Sequence, residues 1–434
     1  MRWCLFRRTH NLIFLVSAAE CRRTAPQPRI LDGWHHHPLL SHSSMIFAVL
    51  ESANSSQASR HARLTGAIDR PWHLRAWSGI CLSGWFNALR RHGFRVSPSK
   101  VPMACILGAM STFNSSLAVL QRLLYGRKIE RTDLAADPIF VVGHWRSGTT
   151  LLHELLVLDE NFTFPNTYAC FSPNHFLVSE VWLKGLLSIF LPRKRPMDNM
   201  AIGWNLPQED EWALCNMGMP SPYLKIMFPN LPVVDRAYQD LRGLPAPLRR
   251  QWQDQFMWLL KALTARESKR IILKTPVHTF RVAALLEILP NARFIHISRN
   301  PMDLFPSTIH TWKRMYQYQG LQVPRFEDLE EEVLQTFCEM YQAFDADRHL
   351  LKSQQFFEVK YEDVAADPIA SLKSIYAHFN LPVHTQVMNS WQAYVREAGS
   401  YKKNRYELSE SQQLALRNRW ASYFNRYGYT DDDE

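Results

Sequence analysis

Residues 139–150 of this chain read IFVVGHWRSGTT, and this order of residue types carries its strongest structural signal. An apolar run of four residues ends at Gly143, and the hydroxyl pair Thr149 and Thr150 opens the apolar stretch 151–158. Such an order is typical of a buried strand, a tight loop and a helix. Two glycines, Gly143 and Gly148, let the loop backbone and the start of the helix approach an anion closely. The stretch therefore predicts a phosphate-type anion site between a strand and a helix.

Three further apolar runs repeat this pattern along the chain, at residues 271–274, 293–298 and 356–360. Stretches with helical spacing alternate with the runs and cover residues 151–158, 280–289, 328–344 and 369–379. Short apolar strands separated by helices are typical of a parallel sheet covered on both faces. We therefore predict an α/β fold for residues 137–434, a P-loop-like three-layer α/β/α domain with a central parallel sheet. Its ligand should lie beyond the carboxyl ends of the strands.

The N-terminal third has a different composition. Residues 1–65 are rich in Pro, His and Ser, and we predict that they lie outside any domain, either as a disordered extension or as a mis-annotated start. Met45 is an alternative first residue, which would remove the first 44 residues. Residues 66–136 are predicted to form a helical extension, for which contact with a membrane is one of the interpretations.

The composition limits the class of protein. The chain has 434 residues, 12% of them aromatic, which is too apolar for a disordered protein and long enough for a large core. Its 50 Lys and Arg exceed its 40 Asp and Glu by ten charges, which favours an anionic partner of unspecified kind. The seven cysteines never form a C-x-x-C pair, so we predict free thiols, no metal site and a reducing, cytoplasmic location. Peripheral contact with a membrane is a separate interpretation, which rests on the helical extension.

A long uncharged stretch raises the question of membrane contact. Residues 102–121 contain no charged side chain, although Ser, Thr and Asn interrupt the apolar residues. Basic residues lie on both sides, at positions 90–100 and 122–131. An apolar helix with basic flanks suits the surface of an anionic membrane. A packing helix that leads into the α/β domain is the alternative, and a true membrane span is a third.

Two rival functions follow from the same features. A P-loop kinase or NTPase needs a lysine where this loop has Thr149, and acidic metal ligands where the strand ends carry Lys274 and Arg299. A basic nucleic-acid-binding protein would fit the charge, but no helix–turn–helix, zinc module or aromatic strand motif is visible. Both stay as alternatives, and nucleic acid is not the expected partner.

The loop 145–150 resembles the 5′-phosphosulfate loop of sulfotransferases, the enzymes that transfer sulfuryl from 3′-phosphoadenylyl sulfate (PAPS). The segment from Arg299 to Ser307 resembles the 3′-phosphate motif of that family, and Tyr361 lies where the family places a tyrosine near the adenine. The resemblance, closest in style to carbohydrate and tyrosyl-protein sulfotransferases, covers residues 137–406. It implies PAPS as the cofactor, with PAP as the product. The cofactor-binding residues that it implies are Gly143, Arg146, Ser147, Gly148, Thr149, Thr150, Arg299, Ser307 and Tyr361.

The resemblance also implies a mechanism, an in-line displacement by an acceptor hydroxyl without a metal. Cations should stabilise the leaving group, and Arg146 and Lys274 are the candidates. A base should take the acceptor proton, and His278 or Glu209 is the candidate. The run 209–211 has a structural alternative as the acidic first turn of a helix. The acceptor itself cannot be named from the sequence, and we favour a glycan or a lipid headgroup.

Overall fold

The centre of the computed structural model is a sheet of five parallel strands. These are β1 (Ile139–Val142), β2 (Phe162–Thr163), β3 (Arg270–Lys274), β4 (Arg293–Ser298) and β5 (Phe356–Lys360). Their order in the sheet is β2-β3-β1-β4-β5, and every neighbouring pair is parallel. The carboxyl ends of β3, β1 and β4 therefore lie side by side at one edge. The predicted fold class is confirmed, although β2, with two residues, was too short to predict.

The structure describes residues 73–188, 203–398 and 407–429, which belong to one unit, Ile68–Glu434. The predicted non-domain region 1–65 lies outside these residues. Among those described, the α-helices are α1 (Leu82–Arg91), α2 (Val101–Arg131), α3 (Thr149–Leu156), α4 (Thr167–Phe171), α5 (Phe176–Leu187), α6 (Asp210–Asn216), α7 (Leu224–Met227), α8 (Ala237–Asp240), α9 (Ala246–Arg266), α10 (Val282–Ile288), α11 (Pro301–Gln319), α12 (Leu329–Asp347), α13 (Tyr361–Ala366), α14 (Pro368–His378), α15 (Thr385–Ala398), α16 (Glu410–Arg419) and α17 (Ala421–Tyr427).

The central strand β1 is buried along its whole length, which explains its unbroken apolar sequence. Phe140 and Val142 face one core, where the Phe140 ring stacks on Phe294 with 5.1 Å between centroids. Ile139 and Val141 face a second core on the opposite side of the sheet, which includes Leu152 of α3. Helices on both faces thus hold β1 rigidly and position the loop that follows it.

The helices α1 and α2 occupy the predicted helical extension. The stretch Pro98–Arg131 is long and apolar enough to cross a bilayer by length and composition, and 22% of its apolar window is buried. Within the described residues, it is the one stretch that meets this description. The face of α2 that contacts the protein packs on α1, α5 and α9.

Candidate active site

The loop after β1, residues 143–150, is folded tightly against β4 and against Tyr361, which directly follows β5. Gly143 and Gly148 have φ values of +145° and +101°, a region that side chains disfavour. A Cβ atom on Gly143 would lie 2.5 Å from the carbonyl oxygen of Ile297, and one on Gly148 would lie 2.3 Å from Cδ2 of Tyr361. Arg146 between them has a φ of +70°. Packing therefore holds this loop in a strained conformation at the start of α3. Backbone strain of this kind often accompanies a functional site.

Four of the sequence-predicted residues meet at this loop. Arg146 Nε donates a hydrogen bond to Ser307 Oγ on α11 at 3.0 Å. Arg299 Nη1, just beyond β4, donates to the carbonyl oxygen of Arg146 at 3.0 Å. The Arg299 guanidinium also lies over the Tyr361 ring, 4.4 Å from its centroid. Two guanidinium groups, a hydroxyl and an aromatic ring thus form one cluster at the carboxyl edge of the sheet.

This cluster has donor capacity to spare. Arg299 Nε and the buried Ser147 Oγ make no hydrogen bond within the part of the chain that the structure describes. Buried polar atoms are normally paired, so unpaired donors beside two cations suit an anionic ligand. A phosphorylated nucleotide has the negative charge and the acceptor oxygens that would pair with these donors and cations.

The acidic run Glu209-Asp210-Glu211 places three neighbouring carboxylates in three different environments. Glu209 is the N-cap residue of α6, and its Oε1 accepts a hydrogen bond from Lys274 Nζ at 2.8 Å. Its Oε2 accepts from the Tyr223 hydroxyl at 2.5 Å. The Glu209 side chain is 17% exposed, whereas that of Lys274, at the end of β3, is 3% exposed. Among the three acids, Glu209 alone reaches solvent.

Asp210 is buried against the second candidate base. His278 Nε2 lies 2.6 Å from Asp210 Oδ2, and neither side chain is exposed. The His278 ring contacts the Phe140 ring edge-on at 5.3 Å. Burial alone would raise the pKa of Asp210, but His278 and a hydrogen bond from Thr275 outweigh it and lower that pKa. His278 is therefore enclosed in the core and has no open surface toward a ligand.

Glu211 forms an ion pair that lies fully inside the protein. Arg281 Nη1 donates to Glu211 Oε2 at 2.6 Å, and both side chains are buried completely. Ser221 Oγ donates to the other carboxylate oxygen at 2.5 Å. The structural interpretation of the acidic run as a helix start thus holds for Asp210 and Glu211, the first two residues of α6.

Tyr223 connects the two halves of the site, and no motif in the sequence points to it. Its hydroxyl accepts a hydrogen bond from Trp145 Nε1 at 3.0 Å and donates to Glu209. Burial, followed by the charge of Glu209, raises the pKa of Tyr223 well above its ordinary value, so this hydroxyl stays protonated. Trp145 belongs to the loop 143–150. A continuous hydrogen-bonded chain therefore joins the loop to Glu209 and Lys274.

This geometry agrees with comparisons to known proteins. A model of the sulfotransferase family matches residues 138–385, which include the loop, Lys274, Arg299 and Tyr361. The chain belongs to the sulfotransferase family. This sulfotransferase is 38% identical over 360 residues to the omega-hydroxy-beta-dihydromenaquinone-9 sulfotransferases Stf3 of Mycobacterium bovis and Mycobacterium tuberculosis. The alignment covers 83% of this chain and 92% of each relative.

Solved structures support the fold of this sulfotransferase. Sulfotransferase STF1 from Mycobacterium tuberculosis superimposes with a TM-score of 0.55 at 19% identity, covering 79% of this chain and 91% of STF1. Sulfotransferase STF9 from Mycobacterium avium gives a TM-score of 0.57 at 17% identity, covering 80% of this chain and 96% of STF9. At these identities the likeness concerns the fold alone.

Proposed function

We propose that this sulfotransferase uses PAPS to sulfate a hydroxyl group of a lipid. The observation that carries the proposal is the hydrogen-bonded chain from the loop through Tyr223 to the Glu209–Lys274 pair. These hydrogen bonds place a carboxylate and a lysine at the same edge of the sheet as the anion-binding cluster. A base, a cation and an anion site are the three parts that sulfuryl transfer to a hydroxyl requires.

The anion-binding cluster fits a nucleotide with phosphate groups at two positions. Arg299, Ser307 and Tyr361 would hold the 3′-phosphate and the adenine. The loop, with Ser147, Gly148, Thr149 and Thr150, would hold the 5′-phosphosulfate through backbone N–H groups and hydroxyls. PAPS, when bound, supplies an activated sulfuryl group on a phosphate leaving group. Arg146 and Lys274 would stabilise the negative charge that develops on that leaving group.

Glu209 is the base that the geometry favours over His278. Its carboxylate is partly exposed and lies at the site edge, so it can accept a proton from an acceptor hydroxyl. Lys274 and Tyr223 orient its two oxygens through one hydrogen bond each. His278 is fully enclosed and paired with Asp210, so its proposed part is to hold Asp210 and the start of α6 in place.

The choice of a lipid over a glycan rests on two observations. The relatives with 38% identity are named for a hydroxylated menaquinone, which is a lipid. The helices α2 and α5 of this chain also expose apolar side chains to solvent, among them Leu123 and Val181. A lipid alcohol suits an enzyme with such a surface better than a polar glycan does.

The test is sulfate transfer from labelled PAPS to a panel of hydroxyl-bearing acceptors. The panel contains long-chain lipid alcohols, an ω-hydroxylated menaquinone, glycans, phenols and tyrosine peptides. We expect labelled product with a lipid alcohol, and we expect Arg146→Ala and Lys274→Met to abolish most of it. Transfer to a glycan alone would refute the lipid acceptor. No PAP release with any acceptor, together with no PAP affinity by calorimetry, would refute the whole proposal.

A further inference from the structure

Helix α2 buries polar side chains although large apolar side chains of the same helix are exposed. Asn114 and Gln121 interrupt its apolar sequence, yet their side chains are 4% and 1% exposed. Asn114 Nδ2 donates to the carbonyl oxygen of Ser78 at 2.8 Å, and Gln121 Oε1 accepts from the Leu177 backbone N–H at 2.8 Å. A helix on the surface of a water-soluble protein normally buries its apolar residues and exposes its polar ones. The side of α2 that points away from the protein instead carries large apolar side chains, such as Leu123 and Leu124, beside polar ones.

The exposed side chains of α2 continue onto α5. Val119, Leu120, Leu123 and Leu124 are exposed on α2, and Val181, Trp182 and Leu186 are exposed on α5; together we call these seven residues the outer face. Leu123 is 78% exposed and Val181 is 95% exposed. The hydrogen bond between Gln121 and Leu177 joins the two helices, within about one turn of Leu124 and Val181. The two exposed stripes therefore border the same helix contact.

Exposed large apolar side chains concentrate in this region of the molecule. Of the 18 such side chains among the described residues, 12 belong to residues 82–186, and the other six are scattered over α9, α16 and several loops. Single exposed apolar residues are ordinary, whereas a contiguous group marks an interaction site. The outer face is thus the apolar surface of this chain that most requires a partner.

The charge next to the outer face identifies the kind of partner. Residues 119–131, which hold the α2 part of the outer face, contain four Lys and Arg and a single acidic residue, Glu130. Arg127 and Arg131 are exposed in the last turns of α2, directly after Leu123 and Leu124. A second copy of this chain would bring equal positive charges together across an isologous interface. An anionic lipid surface instead accepts both the apolar side chains and the cations.

We infer that the outer face lies on the surface of an anionic lipid bilayer, with α2 parallel to the membrane rather than across it. A spanning orientation would break the hydrogen bonds of Asn114 and Gln121, which tie α2 to the protein. The outer face is also linked to the active site. Trp204 Nε1, five residues before Glu209, donates to Ser188 Oγ directly after α5 at 3.1 Å. The purpose of this orientation rests on the proposed function, because an enzyme held on the bilayer meets a lipid acceptor there.

The test is the binding of the full chain to vesicles by flotation, without PAPS. Vesicles consist of phosphatidylcholine alone or of phosphatidylcholine with phosphatidylglycerol. We expect binding to the anionic vesicles that salt weakens. Leu123→Ser with Leu124→Ser should lower the partition coefficient about tenfold. The matched control, Val383→Ser with Leu414→Ser, removes exposed apolar side chains elsewhere and should leave it unchanged.

The cations provide a second, independent measurement. Arg127→Gln with Arg131→Gln should weaken binding to the anionic vesicles about tenfold or more, and Arg250→Gln with Arg325→Gln should not. If either control variant lost as much vesicle binding as its matched test variant, the inference would be contradicted. Failure of the unmodified chain to bind would contradict it as well. A change of oligomeric state in Leu123→Ser with Leu124→Ser, seen by sedimentation without any effect on vesicle binding, would assign the outer face to a second copy. PAP affinity by calorimetry, measured on the same proteins, reports separately on the proposed function.

Discussion

The two sides of the candidate active site are assembled in different ways. On the side that we propose binds the nucleotide, the eight consecutive residues 143–150 supply most of the groups, Arg299 follows β4, and Ser307 lies in the second turn of α11. On the acceptor side, the hydrogen-bonded pairs are distant in sequence: Lys274 is 65 residues from Glu209, and Trp145 is 78 residues from Tyr223. Both sides need the packing of the whole domain, since Arg146 bonds to Ser307 and Arg299. Most groups on the proposed nucleotide side nevertheless belong to one stretch of backbone, whereas those on the acceptor side come from separate segments.

This difference separates two kinds of kinetic effect. A change on the nucleotide side should weaken the binding of PAPS and appear mainly in its KM. A change on the acceptor side should slow the chemical step and appear mainly in kcat. A variant that changes both kcat and the KM for PAPS strongly would show that the two sides act as one unit.

The largest effect is expected from Glu209→Gln. The amide keeps the size of the side chain but cannot take the acceptor proton, so kcat should fall by roughly 10²- to 10⁴-fold, with little change in the KM for PAPS. The melting temperature should fall less than in Glu211→Gln, because Glu209 is partly exposed and its amide still accepts a hydrogen bond from the buried Lys274. Kinetics with labelled PAPS and calorimetric melting measure the two quantities.

Glu211→Gln is the matched control for that variant, because it makes the same chemical change two residues away. It leaves Arg281 buried without its ionic partner, which typically costs about 3–5 kcal/mol of folding free energy. We therefore expect a lowered melting temperature, with normal kcat in the fraction that stays folded. If His278→Gln removed kcat while Glu209→Gln kept it, the assignment of the base would be wrong.

On the nucleotide side, Arg299→Ala should raise the KM for PAPS by roughly 10- to 100-fold with a smaller change in kcat. The variant loses a charged donor, and hydrogen bonds to charged groups contribute about 1.5–3 kcal/mol each. Arg293→Ala serves as its control, because Arg293 is the first residue of β4, at the end opposite to Arg299, and donates to the Phe379 carbonyl oxygen. A PAP affinity that is unchanged in Arg299→Ala would remove this residue from the nucleotide site.

Tyr223→Phe tests whether the connection between the two sides matters. It removes the donor to Glu209 and the acceptor of Trp145, so kcat should fall about tenfold while the KM for PAPS changes less. Tyr316→Phe is the control, since burial raises the pKa of that tyrosine too but no hydrogen bond to the site is involved. A fall in kcat that is equal for both variants would indicate a general loss of packing instead of a positioning role.

The same contrast explains how far the sequence alone can predict this molecule. Strands β1, β3, β4 and β5 are predictable because their residues form unbroken apolar runs, and the loop because its glycines have a characteristic spacing. The sequence does not predict whether Glu209 or His278 is the base. The two side chains differ in burial, and the burial of His278 arises from tertiary packing around Phe140. Tyr223 escapes prediction for the same reason, since no spacing connects it to its partners.

The smallest effect concerns the acid stability of the loop on the nucleotide side. Burial lowers the pKa of His144 to about 4, against an ordinary value near 6.5, while its hydrogen bond to the Trp145 carbonyl opposes the shift. Between these pH values the unfolded chain binds a proton that the folded chain excludes, so folding stability falls as the pH drops from about 6.5 toward 4. The loss should approach about 1.4 kcal/mol per pH unit for this ring.

His144→Gln removes that contribution, so its unfolding free energy should depend less on pH over the same window. Chemical denaturation at pH 7, 6 and 5 measures the slope for both proteins. His175 has its pKa lowered to about 4 by burial as well, but it lies at the start of α5, away from the loop. Parallel slopes for His144→Gln and the unmodified enzyme would mean that His175 or another buried ring carries the acid sensitivity. A flatter slope in His144→Gln alone would place part of it in the loop that we propose binds the nucleotide.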